Sequence, residues 1–321
     1  MSGREVMHRL GIGDTSLIDL PDFARPSTVQ LKAEFENPSG SVKDRTAAYL
    51  AAWAQAEGGP HVRIVESTSG NLGISLSYIC TLLGMQPPLL IIDSSIPAEK
   101  AAAIDHCGAE TLVVRKARVG LTLRETRVQI ADEVGRQAGY LWVNQYGNNA
   151  NFLAHTETTG PELTSAPGGI MMVIAPISTG GTACGIAGHL ASHPGSRVVA
   201  VEPLGSTIFG GRDDSFVTAG AGFHGAPAIV QRNGGLLGGY AQVPDEISAR
   251  ECVLLRDQYG LSVGLTTGAA LACARAIGSA EAHRVVVIAA DGGDHYTAEI
   301  AALSSSPSYP DSQRAMRIQV N

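Results

Sequence analysis

The chain has 321 residues, 44% hydrophobic and 17% charged, a globular composition that excludes a disordered or low-complexity protein. Its 30 acidic residues against 23 Lys and Arg leave a net charge of −7, so no basic stripe is available to displace counterions from a nucleic acid. The cysteines Cys80, Cys107, Cys184, Cys252 and Cys273 include no CxxC pair, which argues against a disulfide framework or zinc site and for a reducing compartment.

The opening MSGREVMHRLG is charged and lacks the apolar run of a secretory signal. No apolar stretch approaches the roughly 18 residues that span a bilayer. A cytoplasmic protein is expected. Along the chain a strand is predicted over 28–34, a helix over 44–56, a strand over 62–65, a helix over 71–83, a strand over 89–92, a helix over 98–106, a strand over 111–114 and a helix over 121–138. An Asn-rich stretch at 144–151 and residues 161–169 then separate a second series: strand 170–175, helix 182–191, strand 198–201, helices 247–259 and 268–280, and strand 285–289.

Short apolar strands alternating with helices imply an α/β fold with mostly parallel sheets, and near-continuous apolar strands fit sheets covered on both faces. A domain boundary is expected near residue 150. Residues 205–239 hold many glycines and little apolar periodicity, so they are expected to form an ordered functional loop region. The stretch 304–312, with Pro307 and Pro310, reads as a mobile tail.

Four segments carry chemistry. NPSGSVKDR at 37–45 places Lys43 at a helix start, where the positive end of the helix dipole disfavours an ammonium and suits a lysine that must lose its proton. A lone lysine there could equally be a solvated surface residue. ESTSGNLG at 66–73 follows a strand and opens a helix. Its N–H groups and the hydroxyls of Ser67, Thr68 and Ser69, with Gly70 and Asn71, could cradle a carboxylate or phosphate, or simply cap the helix.

STGGTACG at 178–185 offers Ser178, Thr179, Gly180, Gly181 and Thr182 in the same strand-to-helix setting. A dinucleotide fold is the competing reading here, with Glu202 as the ribose-binding acid of an NAD-dependent oxidoreductase, although the spacing is not GxGxxG. GLTTGAA at 264–270 places Thr266 at a further helix start. Ligands in such folds sit at the carboxyl ends of parallel strands, where all four turns could converge. Several anion cradles and a lysine suit a phosphorylated cofactor and an amino-acid carboxylate. The sequence Asp291-Gly-Gly-Asp294-His295 reads as a turn after a buried strand and not as a metal site, and Cys184 as a small packing residue.

Together these segments resemble the fold-type II family of pyridoxal-phosphate (PLP) enzymes, which includes cysteine synthase and cystathionine β-synthase; the resemblance covers nearly the whole chain. It implies a tryptophan synthase β-like fold of two domains, each a twisted, mostly parallel sheet flanked by helices. A larger cofactor domain would comprise 1–44 and 151–321, and a smaller, mobile domain carrying the substrate-carboxylate loop 45–150. It implies that Lys43 holds the cofactor as a Schiff base, that Asn71 meets the ring hydroxyl, that Ser178 to Thr182 hold the phosphate and that Thr266 meets the ring nitrogen. Ser67 to Asn71 would bind the substrate carboxylate. A neutral hydroxyl at the ring nitrogen stabilises a long-lived carbanion less than an aspartate would, which favours prompt loss of a β substituent.

Within the family, VESTSGNLGISL, WVNQYGN, APISTGGT and VAVEPLGSTIFGG are similar to the 2,3-diaminopropionate synthases of siderophore and antibiotic pathways. That likeness implies β-replacement on O-phospho-L-serine through an aminoacrylate, with the amine of L-glutamate as nucleophile, a homodimer, and a partner dehydrogenase acting on the product. GAGFHGAP at 220–227, around Gly222, is closer to the pattern of cysteine synthases, which leaves sulfide as an alternative nucleophile and an O-acetylated serine as an alternative donor. A catalytically silent binding module is a further reading, disfavoured by the presence of Lys43. Extra substrate acids would call for cations, with Arg127 the first candidate and Arg212 and Arg232 behind it.

Overall fold

The computed structural model describes residues 1–68, 70–94, 96, 98–169, 171–280, 283–306 and 315–320, with the backbone alone for 98–101. The first series of elements is α1 (Gly3–Leu10), β1 (Leu17–Asp19), β2 (Thr28–Ala33), α2 (Lys43–Gly58), β3 (Arg63–Ser67), α3 (Asn71–Leu82), β4 (Leu89–Asp93), α4 (Ala98–His106), β5 (Glu110–Val114), α5 (Leu123–Gly135), β6 (Tyr140–Trp142) and α6 (Asn149–Ala154). A π-helical turn, His155–Thr159, leads to α7 (Gly160–Ser165), β7 (Met172–Pro176), α8 (Gly181–Leu190) and β8 (Arg197–Pro203). The chain ends with α9 (Ala228–Asn233), β9 (Gly239–Val243), α10 (Asp245–Tyr259), α11 (Leu265–Ala280), β10 (Arg284–Ala289), α12 (Thr297–Ser304) and β11 (Arg317–Val320).

Two compact units result: Met1–Gly13 with Lys43–Ala154, and Asp14–Val42 with His155–Asn321. The smaller unit is built on a four-stranded parallel sheet in the order β5-β4-β3-β6. β3 places Ile64 in a core with Leu50 of α2 and Leu76 and Ile79 of α3, and Val65 in a second cluster with Ala131 of α5. Alternate residues thus serve opposite faces, as a sheet covered on both sides requires. α5 starts at a capping box: Glu125 N–H donates to Thr122 Oγ1 at 3.2 Å and Thr122 N–H to the Glu125 carboxylate at 2.7 Å.

The larger unit has a seven-stranded sheet in the order β1-β2-β10-β7-β8-β9-β11. Its interior pairs are parallel, and β1 and β11 close the edges antiparallel. Its core joins β10 and β7 to α11, whose Ala269, Ala270, Leu271 and Ala274 are buried. At Gly268 a Cβ would stand 2.0 Å from the Ser248 carbonyl oxygen, so α10 and α11 approach as closely as they do because that position has no side chain.

One boundary differs from the sequence reading. The N-terminal helix belongs to the smaller unit and not to the larger, because Val6 and Met7 of α1 are buried in the core built on α2 and Gly3 sits against the Tyr49 ring. The strands β1, β6, β9 and β11 and the helices α1, α6, α7, α9 and α12, none longer than eight residues, go unread in the sequence. Ile170 and residues 307–312 of the expected tail lie outside the described residues, as does Ser69. Among the described residues no helix is long and apolar enough to cross a membrane.

Candidate active site

In the larger unit two segments meet on the loop that follows β10. Val42 N–H donates to the Ala290 carbonyl at 2.8 Å and Ser41 pairs with Asp291. Gly264 N–H donates to the Asp291 carbonyl at 3.1 Å and Val263 pairs with Gly292. The residue before Lys43 and the turn before Thr266 are therefore held on one short stretch, 290–292. Asp291 itself is buried and accepts from the Tyr296 hydroxyl at 2.6 Å, a structural role that matches the reading of this segment as a turn.

The glycine loop after β7 lies beside them. Gly180 caps α8 with φ +93°, a left-handed conformation that glycine adopts without strain, and no side chain caps that end. The first-turn N–H groups of α8 thus have no side-chain cap, an arrangement that suits an anion. Thr179 is buried, and Thr182 Oγ1 stands 3.2 Å from His155 Nε2. Ser178 Oγ donates to the Gly222 carbonyl at 3.2 Å, and Gly222 N–H donates to the Ile177 carbonyl at 2.8 Å. A Cβ on Gly220 would lie 3.5 Å from Thr266 Cγ2. Segment 220–222 therefore touches both the glycine loop and Thr266.

Thr266 supplies the test of a bound cofactor. Its side chain is 3% exposed, yet among the described residues its hydroxyl has no hydrogen-bond partner. A buried hydroxyl left unsatisfied costs about 1–3 kcal/mol, so a ligand atom is the natural partner. An uncapped helix start for a phosphate and an orphaned hydroxyl for a ring nitrogen fit pyridoxal phosphate.

In the smaller unit Lys43 is the first residue of α2 and half-buried, whereas Asp44, Arg45 and Thr46 behind it are fully buried. Thr68 Oγ1 accepts from Gly70 N–H and Gly73 N–H, both at 3.2 Å, so Thr68 caps the start of α3. Asn71 is the first residue of that helix. The Ser67 hydroxyl is buried and has no partner among the described residues.

A buried polar network fixes this loop. Thr46 Oγ1 donates to Asn151 Oδ1 at 2.9 Å, Asn151 Nδ2 to the Gln145 carbonyl at 2.8 Å, and Gln145 Nε2 to the Ser67 carbonyl at 2.9 Å. Glu66 accepts from Ser67 N–H at 2.9 Å and Gln145 N–H at 3.2 Å, while burial pushes its carboxyl up to about 8. The Tyr146 hydroxyl donates to the Ser67 carbonyl at 3.2 Å.

Arg127 takes a different place from the one its position suggested. It is buried in α5, pairs through Nε with Asp93 Oδ2 at 2.8 Å and donates to the Thr68 carbonyl. Its guanidinium supports the loop and is not an open substrate cation. Sequence reading missed Arg124, one helical turn earlier, whose pKa is lowered by burial and by Arg127 against the opposing effects of Tyr146 and Asp93. Arg212 and Arg232 are exposed.

Glu202 is not a ribose-binding acid. It is fully buried, and its carboxylate accepts from Ser206 Oγ, from Ile208 N–H at 3.1 Å and from Gln242 Nε2 at 2.9 Å. Cys184 is buried in α8, with its thiol pushed up to about 12 by burial, as a packing residue.

Residues 8–291 match the family model described as "Pyridoxal-phosphate dependent enzyme". The chain is 33% identical over 297 residues to the N-(2-amino-2-carboxyethyl)-L-glutamate synthase of Ralstonia nicotianae, covering 89% of this chain and 86% of that protein. The crystal structure of an O-ureido-L-serine synthase superposes with a TM-score of 0.83 at 26% identity, over 95% of this chain and 97% of that one. The O-acetylserine dependent cystathionine β-synthase of Helicobacter pylori, at 24% identity, shares the fold with a TM-score of 0.82 over 93% of this chain and 97% of its own. The chain belongs to the pyridoxal-phosphate dependent enzyme family.

Proposed function

We propose that the enzyme replaces the phosphate of O-phospho-L-serine with the amine of L-glutamate, giving N-(2-amino-2-carboxyethyl)-L-glutamate and inorganic phosphate. The observation that carries this reading is the 33% identity, sustained over 89% of the chain, to a synthase of that product.

Bound pyridoxal phosphate supplies the electron sink that lets the substrate Cα carry negative charge. In this reading Lys43 would hold the cofactor and would remove the substrate's Cα proton as general base. The start of α8, with Ser178 to Thr182, would hold the cofactor phosphate and Thr266 would meet its ring nitrogen. Asn71 meets the ring hydroxyl. The loop Ser67 to Asn71, with Ser69 and Gly70, receives the substrate carboxylate, and Arg127 holds that loop through Thr68. Gly222 lines the substrate pocket.

A sulfide nucleophile is the second reading, favoured by the GAGF pattern at 220–223. The same proposal includes a homodimer, a cytoplasmic setting and a dehydrogenase that consumes the product.

The test is phosphate release from O-phospho-L-serine with glutamate or sulfide as the second substrate. Release that depends on glutamate, with the coupled product identified by mass, supports the proposal. Turnover with sulfide alone replaces it with cysteine synthesis. Lys43→Ala is expected to abolish both the visible absorption band and turnover.

A further inference from the structure

Residues 202–225 of the larger unit form a ladder on the buried Glu202 carboxylate. Ser206 Oγ donates to that carboxylate and accepts from Phe223 N–H at 2.9 Å. Thr207 N–H donates to the Phe223 carbonyl at 2.9 Å, and Gly225 N–H donates to Thr207 Oγ1 at 2.8 Å. The main chain on both sides of His224 is thus pinned, and two residues earlier Gly222 is bonded to Ser178 at the mouth of the glycine loop.

On this fixed strip His224 Nδ1 lies 2.7 Å from Asp213 Oδ1, and the imidazole leans on Phe216 with ring centroids 5.8 Å apart. The His224 side chain is 44% exposed, and among the described residues nothing bonds to its Nε2. A carboxylate on one ring nitrogen fixes the tautomer and leaves the other nitrogen as a proton acceptor.

An amine nucleophile needs such an acceptor. The amino group of an amino acid is an ammonium at neutral pH and has no lone pair until a proton leaves. Lys43, in the proposed reaction, is engaged with the Cα proton.

The geometry points to His224, oriented by Asp213, as the group that deprotonates the incoming amine; this rests on the β-replacement reading with an amine nucleophile. One N–H bond of the ammonium breaks and its proton passes to His224 Nε2. The freed electron pair forms the C–N bond at the substrate's Cβ as the Cα–Cβ π pair shifts to Cα, and Cα takes back the proton that Lys43 removed. The electron pair of the former Cβ–O bond has left with the phosphate, and His224 returns its proton to solvent.

An exposed pair of this kind contributes at most about 1 kcal/mol to stability, so His224→Gln and Asp213→Asn should fold. Two rates are compared in each holoenzyme: single-turnover phosphate release from O-phospho-L-serine without nucleophile, and the glutamate-dependent step. General-base loss typically costs about 100-fold or more. The expected result is a glutamate-dependent step that falls about 100-fold more than phosphate release in His224→Gln, a smaller fall in Asp213→Asn, and recovery of His224→Gly by added imidazole. Equal losses in both steps mean a structural role and overturn the proposal, as does a glutamate step within threefold of wild type. A wild-type enzyme that releases no phosphate from O-phospho-L-serine refutes the underlying β-replacement reading instead.

Discussion

His155 Nε2 stands 3.2 Å from Thr182 Oγ1, and the opposite ring nitrogen stands 2.9 Å from Thr159 Oγ1. The imidazole is buried between two threonine hydroxyls, one in the π-helical turn and one in the first turn of α8. His155 therefore orients a hydroxyl of the proposed phosphate site without itself belonging to the anion cradle.

Replacing His155 with Ala removes that bond and leaves the Thr182 hydroxyl to reorient, at a cost of about 1–2 kcal/mol. The dissociation constant of pyridoxal phosphate, measured by titrating apoenzyme, is expected to rise about tenfold. His155→Ala combined with Thr182→Val should cost no more than the larger single effect, because the two share one interaction. An unchanged affinity in His155→Ala would refute the positioning role.

Thr266→Val separates a cofactor contact from a packing role. Its hydroxyl is buried and unpaired among the described residues, so an apolar replacement of similar shape should leave the apoenzyme's thermal midpoint unchanged or raised. The same change should weaken cofactor binding by about fivefold to tenfold. A destabilised apoenzyme with unaltered affinity would mean the hydroxyl serves the fold.

Arg127→Met breaks a buried ion pair and strips Asp93 of that guanidinium, a change that typically costs about 3–5 kcal/mol. Urea unfolding should report that loss, and the KM for O-phospho-L-serine should rise because the Thr68 carbonyl is no longer held. Arg127→Lys retains the charge but not the two-sided geometry, so it should recover stability in part.

Glu66 gives a pH dependence of defined sign. Burial raises its carboxyl to about 8 in the folded protein against an ordinary value of 4.5, with bonds from Gln145 and Ser67 acting in the opposite direction. Tyr146 and the guanidiniums of Arg127 and Arg124 are the charged or titratable groups coupled to this corner. The folded state holds the proton where the unfolded chain has lost it. This contribution is therefore full below about pH 4.5 and is lost as pH rises towards 8, with a slope of at most about 1.4 kcal/mol per pH unit. In Glu66→Gln that slope should vanish from the urea midpoints measured between pH 5 and pH 8.

Much of the fold was legible because its signals are local. β3 and α3, β7 and α8, and α11 each carry an apolar run, a glycine or hydroxyl turn and a helix start within about a dozen residues. Lys43, Asn71, Ser178 to Thr182 and Thr266 could be singled out because such turns need small and hydroxyl residues at helix starts. The strand β6 has only three residues, too few to show a periodicity that outweighs its neighbours, whereas α1 goes unread although Ser2 and Glu5 form a capping box and Gly11 ends the helix in a left-handed conformation.

The sequence by itself determined the α/β class, the order of the glycine- and hydroxyl-rich turns and the lysine at the start of α2, since each depends on residues adjacent in the chain. Tertiary structure alone decided which side chains those turns lean on. Arg127 reaches Thr68 across 59 positions, Gln145 reaches Glu66 across 79, and His155 reaches Thr182 across 27. A buried charge or hydroxyl must find a partner wherever the packed core brings one near, and no local pattern encodes that distance. For the same reason Glu202, which reads as a ribose ligand in one dimension, proves in three to be the anchor of the loop that carries His224.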